Sequence, residues 1–125
     1  MTRNEFIGQL LHVHFNLGLS KEDFVILSGG SLLLRGLRST TRDIDIAIRP
    51  EAAERGNISI YPVNHKGLYM IGENCEAGID FEKYPFDTID GYQVQTLESI
   101  LEYKRLWQRA KDVEDIKIIE KYLAQ

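Results

Sequence analysis

Residues 24–48 read Phe24-Val-Ile-Leu-Ser-Gly-Gly-Ser-Leu-Leu-Leu-Arg-Gly-Leu-Arg-Ser-Thr-Thr-Arg-Asp-Ile-Asp-Ile-Ala-Ile48. An apolar run, Phe24 to Leu27, meets a glycine pair, Gly29-Gly30, and a short apolar segment, Leu32 to Leu34. A polar link containing Arg38, Ser39, Thr40, Thr41 and Arg42 then leads into a second apolar run carrying Asp43 and Asp45. On a strand, residues i and i+2 share a face, about 7 Å apart along the chain. Two carboxylates on one wall of an Ile/Ala strand raise each other's energy, and unpaired buried carboxylates are rare. A divalent cation would relieve that repulsion, so the pair marks the expected active centre.

Around this stretch, 125 residues suit one domain spanning 1–125 with a sizeable core. The formal charge of −4 argues against a general nucleic-acid coat protein, though not against a local basic patch. No apolar stretch is long enough for a membrane span, and the N-terminus lacks a signal-peptide pattern. Cys75 is the single cysteine, so no internal disulfide is available and a cytoplasmic setting is expected, with Cys75 structural.

Thr2-Arg3-Asn4-Glu5 has the form of a capping box, and Phe6, Ile7, Leu10, Leu11, His14 and Leu17 follow at helical spacing until Gly18. His12 and His14, two apart on a helix, point to different faces and do not suit a shared metal. Phe24–Leu27 reads as a buried strand. The turn Ser28-Gly29-Gly30-Ser31 leaves room for a ligand near the backbone, and the helix expected from Leu32 would offer it free N–H groups, a setting that suits phosphate. No Walker A lysine follows. Glu51–Gly56 suits one or two helical turns. Strands are expected at Ile58–Tyr61, Gly67–Ile71 and Ala77–Phe81, the last carrying a lone Asp80 with Glu82 two residues on. Tyr84–Gln95 reads as a linker. Thr96 then caps a helix whose apolar face holds Leu97, Ile100, Leu101 and Leu106 or Trp107, and Asp112 heads a final helix striped by Ile116, Ile119 and Leu123. An acidic first turn suits the helix dipole, which gives Asp112 and Asp115 a purely structural account beside any functional one.

The order Gly-Gly, twelve-residue spacer, Asp-Ile-Asp-Ile resembles the signature of the nucleotidyltransferase superfamily, the DNA polymerase beta-like fold. Residues 36–45 and the tail from Leu97 to Ile116 look like its AbiEii, or minimal nucleotidyltransferase, branch. The resemblance touches residues 24–48, 78–82 and 92–119. It implies an α/β (mixed α+β) fold, a mixed sheet flanked by helices with two helices at the C-terminal end. It also implies transfer of a nucleoside monophosphate from an NTP (ATP or another) to an acceptor hydroxyl, with Mg²⁺. Ser28, Gly29, Gly30 and Ser31 would hold the triphosphate, and Asp43, Asp45 and Asp80 would bind the metal. Asp80 would also help activate the acceptor, Arg38 and Arg42 would neutralise charge, and Lys104 would reach the phosphates. Lys104 snorkelling from its helix and solvated arginines are the competing structural readings. The acceptor stays open: a protein, a tRNA end (the one route to nucleic acid) or a small molecule such as an antibiotic. The short chain leaves room for a small acceptor, a homodimer or partner protein that completes the site, or a decayed activity. The rival class is a non-catalytic interaction module, such as a toxin–antitoxin component.

Overall fold

A computed structural model describes residues 1–125. α1 (Arg3–Leu17) starts at the capping box foreseen in the sequence, with Glu5 N bonded to Thr2 Oγ1 and Thr2 N to Glu5 Oε1, and ends at left-handed Gly18. Its buried face is Phe6, Leu10, Val13 and Leu17; Leu11, expected inside, faces solvent. β1 (Phe24–Ile26) is wholly buried. α2 (Ser28–Leu34) begins at Ser28 itself, so the glycine pair lies in its first turn rather than ahead of a helix at Leu32. β2 (Ile44–Ile48) and α3 (Pro50–Arg55) follow, the latter opened by a proline at its first position, where no N–H is needed.

Beyond α3 the sequence reading needs three corrections. Ile58–Ile60 is a 3₁₀ turn, not a strand. Of the next two strands, β3 (Tyr69–Gly72) lies within the expected range, but β4 (Cys75–Gly78) stops before Asp80, which heads a 3₁₀ turn over Phe81–Lys83. The stretch read as a linker is a hairpin, β5 (Phe86–Ile89) and β6 (Tyr92–Gln95), turned by Asp90 and Gly91 at φ 53° and 82°. Positive φ at both turn residues matches strand twist, and Asp-Gly is a favoured pair there.

α4 (Leu97–Trp107) is capped by Thr96, whose Oγ1 accepts from Ser99 N at 3.1 Å, and α5 (Val113–Leu123) closes the described chain. None of these helices is long and apolar enough to cross a membrane.

The six strands form one mixed sheet in the order β3-β4-β2-β1-β6-β5. β1 runs antiparallel to β2 and parallel to β6, and β2 runs parallel to β4. The fold is the mixed α+β architecture, and the helix-flanked sheet, expected from the sequence. A large core joins α1, α2 and α3 to the sheet through Phe6, Leu10, Phe24, Ile26, Ile44, Ile46, Ile48 and Ile58. A separate small cluster of Leu32, Leu97, Ile100, Leu101 and Ile119 fastens α4 and α5 to the far side of α2. Leu106 is exposed and belongs to neither. This two-core arrangement leaves a cleft between the β2–β4 end of the sheet and the α4–α5 unit.

Candidate active site

The cleft measures about 770 Å³, and Asp43, Asp45, Asp80, Ser28, Gly29, Arg38, Arg42 and Lys104 all line it. Its carboxylate wall is built by strand pairing. Asp43 immediately precedes β2, and Asp45 is its second residue. Parallel pairing with β4 sets Asp45 opposite Glu76. Burial, followed by the charges of Glu76 and Asp43, raises the Asp45 carboxyl to about 6 despite an opposing pull from Lys66. Glu76 is held from the other side by Lys66 Nζ at 2.9 Å and Asn64 Nδ2 at 3.1 Å. Asn64 Oδ1 also accepts from the N–H groups of Lys66 and Leu68, so one turn fixes both the asparagine and the lysine.

Sequence reading missed Glu76. The signal available was its place between buried Cys75 and Ala77 on a short strand, which points it away from the core. Asp80 lies past the end of that strand, and its carboxylate accepts from the Tyr84 hydroxyl at 3.4 Å. No three or more Asp, Glu, His or Cys side chains converge as a preformed metal centre. Burial, then the nearby Asp45 and Glu76 charges, pushes the Cys75 thiol up to about 12, which leaves it an inert core group.

The glycine turn divides between the cleft and the core. Ser28 carries the positive φ, 50°, and neither glycine does. Its N–H is bonded to Gln95 Oε1 at 2.9 Å, and Gln95 Nε2 reaches Ser99 on α4, so one buried glutamine ties the turn to the tail. A side-chain carbon at Gly29 would lie 2.6 Å from Thr41 Oγ1. At Gly30 it would lie 2.7 Å from both Ile26 Cγ2 and Phe6 Cζ, so Gly30 is required by core packing. Ser31 is fully buried; its hydroxyl donates to Gln95 O at 2.7 Å and accepts from Arg35 Nε at 3.2 Å. Ser28 and Gly29 therefore face the cleft, while Gly30 and Ser31 stand behind it.

The opposite wall is cationic and highly organised. Lys104, only 4% exposed, bonds Asp112 at 2.7 Å and lies 3.4 Å from Asp115. Asp112 also takes Arg109 Nε at 2.6 Å and Nη2 at 3.2 Å, and Asp115 reaches Arg38 at 3.3 Å. Burial pushes the Asp112 carboxyl up, but bonds from Arg109 and Lys104 more than offset it and its pKa ends below the usual carboxylate value. Asp112 makes no side-chain cap to its own helix. The capping account of Asp112 thus gives way to an ion network, and Lys104 is committed to that network rather than free. Arg42 and Lys111, also on the cleft, form no ion pair.

Two comparisons found nothing: no family model and no curated protein matches the chain. Among solved structures, the crystal structure of a putative nucleotidyltransferase from Thermotoga maritima is similar, with a TM-score of 0.58 and 22% identity over 99% of this chain and 96% of that one. At that identity the likeness is one of fold. The shared fold takes in the helix-flanked mixed sheet described above.

Proposed function

We propose that this chain is a nucleotidyltransferase that moves a nucleoside monophosphate from an NTP to an acceptor hydroxyl and releases pyrophosphate. The observation that carries this reading is the make-up of one cleft, which gathers the carboxylates Asp43, Asp45, Glu76 and Asp80 together with the cations Arg38, Arg42 and Lys111.

The donor set fits Mg²⁺. Every candidate ligand is a hard carboxylate oxygen, and magnesium usually takes one or two carboxylates together with phosphate oxygens and water. The raised Asp45 carboxyl is the sign of crowded negative charge that a cation would relieve. Asp43 and Asp45 are the ligands proposed here, with phosphate oxygens and water completing the shell, while Glu76 and Asp80 add negative charge to the same cleft. A bound ion would supply charge neutralisation on the reacting phosphate and its leaving oxygen.

The chain's own groups do the rest by positioning, which is most of what phosphoryl-type transfer asks of a protein. The Ser28–Gly29 backbone, held by Gln95, gives the phosphates a close approach. Arg42 and Lys111, free of internal partners, neutralise them. Arg38, steadied by Asp115, adds a third cation whose direction is fixed before substrate arrives. Asp80 accepts the proton of the attacking hydroxyl. Lys104 supports this wall through Asp112 and Asp115. The finer placement in the AbiEii-like branch rests on residues 36–45 and the Leu97–Ile116 tail.

The test is incubation with each α-labelled NTP, MgCl₂ and a cell extract. Label should enter one class of molecule with the wild type and not with Asp43→Asn/Asp45→Asn. Equal labelling by that variant, or no NTP binding by the wild type, refutes the reading.

A further inference from the structure

One face of the cleft has no part in the chemistry above. Trp107 ends α4, and Gln108 follows in the left-handed region at φ 53°, which reverses the chain. That reversal lays the Arg109 guanidinium over the indole, 4.3 Å from its centroid, while Asp112 pins the same guanidinium by two bonds. One helical turn back, Tyr103 stands 5.6 Å from Trp107 between ring centroids, and Tyr84 stands 5.6 Å from Tyr103. Tyr84 donates to Asp80, so the row starts at the carboxylates and ends at Trp107, which is 49% exposed. The small core beneath α4 closes without any of these three rings. A row of aromatics fixed by packing and by an ion pair, yet left open on a cleft, is a preorganised surface for a flat ligand.

Resting on the nucleotidyltransferase reading, we infer that the Tyr103–Trp107 face is the platform on which the donor nucleobase stacks. The α-phosphorus has to lie at Asp43 and Asp45, with the outer phosphates toward Ser28 and Arg42. The nucleoside is bonded to that same phosphorus, so it lies beside the carboxylates, and the aromatic row begins there. Stacking uses the π-face that every base has, so the platform takes all four NTPs with modest preference.

Trp107 is the single tryptophan, so its emission reports on this face alone. MgATP, MgGTP, MgCTP, MgUTP and inorganic tripolyphosphate with MgCl₂ are titrated, following both heat and tryptophan emission. Each NTP is expected to change the emission, and tripolyphosphate is expected to leave it unchanged. Trp107→Ala should weaken NTP binding roughly tenfold while tripolyphosphate binding stays within about twofold, and Trp107→Phe should restore most of the loss. Melting temperatures confirm that both variants fold. NTP binding without an emission change, or equal effects of Trp107→Ala on NTP and tripolyphosphate, overturns the platform and leaves the nucleotidyltransferase reading standing. A wild type that binds no NTP at all overturns both.

Discussion

Asp45 and Glu76 face each other across the parallel pairing of β2 and β4, two carboxylates in register on strands separated by α3 and β3 in the chain. Neither is made harmless by the fold. Lys66 bonds Glu76 and only partly offsets the crowding at Asp45, whose carboxyl is raised to about 6 by burial and by its neighbours.

That relationship gives a pH signature for the metal-free protein. A carboxyl whose folded pKa lies above its unfolded one binds protons more readily when folded, so stability falls as pH rises from about 4 through about 6. Above pH 7 the whole cost is present. Asp45→Asn removes it and should raise the melting temperature by roughly 3–8 °C at pH 7.5, with little change at pH 4. Calorimetric scans in EDTA check this. A lower melting temperature at pH 7.5 would mean that Asp45 is not strained.

Glu76 and Asp80 are separable by mutation. Glu76→Gln should cut kcat/KM for nucleotide transfer by about a hundredfold or more, because its loss thins the negative charge that attracts the cation. Asp80→Asn should lower kcat and leave NTP affinity unchanged, as expected of a group that touches the acceptor and not the donor. Steady-state kinetics with both variants decide which carboxylate completes the set.

The two glycines should fail differently. Gly30→Ala drives a methyl into Phe6 and Ile26 and is expected to cost about 1–3 kcal/mol in urea unfolding. Gly29→Ala meets the Thr41 and Arg38 side chains rather than core rings, so its stability cost should be smaller while NTP affinity falls. Chemical denaturation and calorimetric titration of both variants separate packing from binding.

Lys104→Ala leaves Asp112 buried beside a single remaining partner and should destabilise the protein by about 3–5 kcal/mol. The depressed Asp112 carboxyl adds an acid limb. Its contribution is intact above the unfolded carboxylate range and is lost as pH falls through the still lower folded value. Lys104→Met/Asp112→Leu, which removes both charges, should recover much of the loss. Recovery of stability together with unchanged NTP binding would assign Lys104 a structural role.

Much of this was readable beforehand because it is local. The Thr2 capping box, the Gly18 stop, the strand that follows Asp43 and bears Asp45 and the two tail helices all depend on residues within a few positions of one another. The β5–β6 hairpin escaped notice although Asp90-Gly91 is a strong turn signal. β6 reads Tyr-Gln-Val-Gln, and both glutamines are buried. Gln93 Nε2 donates to Phe24 O and Glu22 O, and Gln95 serves Ser28 and Ser99, so polar side chains occupy positions where a strand pattern calls for apolar ones. Glu76 escaped for another reason: its partnership with Asp45 exists only after a parallel crossover, which no window of sequence spans. Lys104 was readable as a cation on the inner face of α4. That its charge is matched by Asp112 and Asp115 depends on how Gln108 turns the chain.

The strand order carries a consequence for how the chain comes together. β1 lies inside the sheet, with β2 on one side and β6 on the other, joined through Ile26 and Val94. During synthesis β1 and β2 can pair early, but the second edge of β1 stays open until the segment ending at Gln95 has emerged. That edge is apolar, and an unpaired apolar edge invites association with other chains. The interval between making β1 and making β6 is thus the period when a nascent chain most needs shelter from its neighbours.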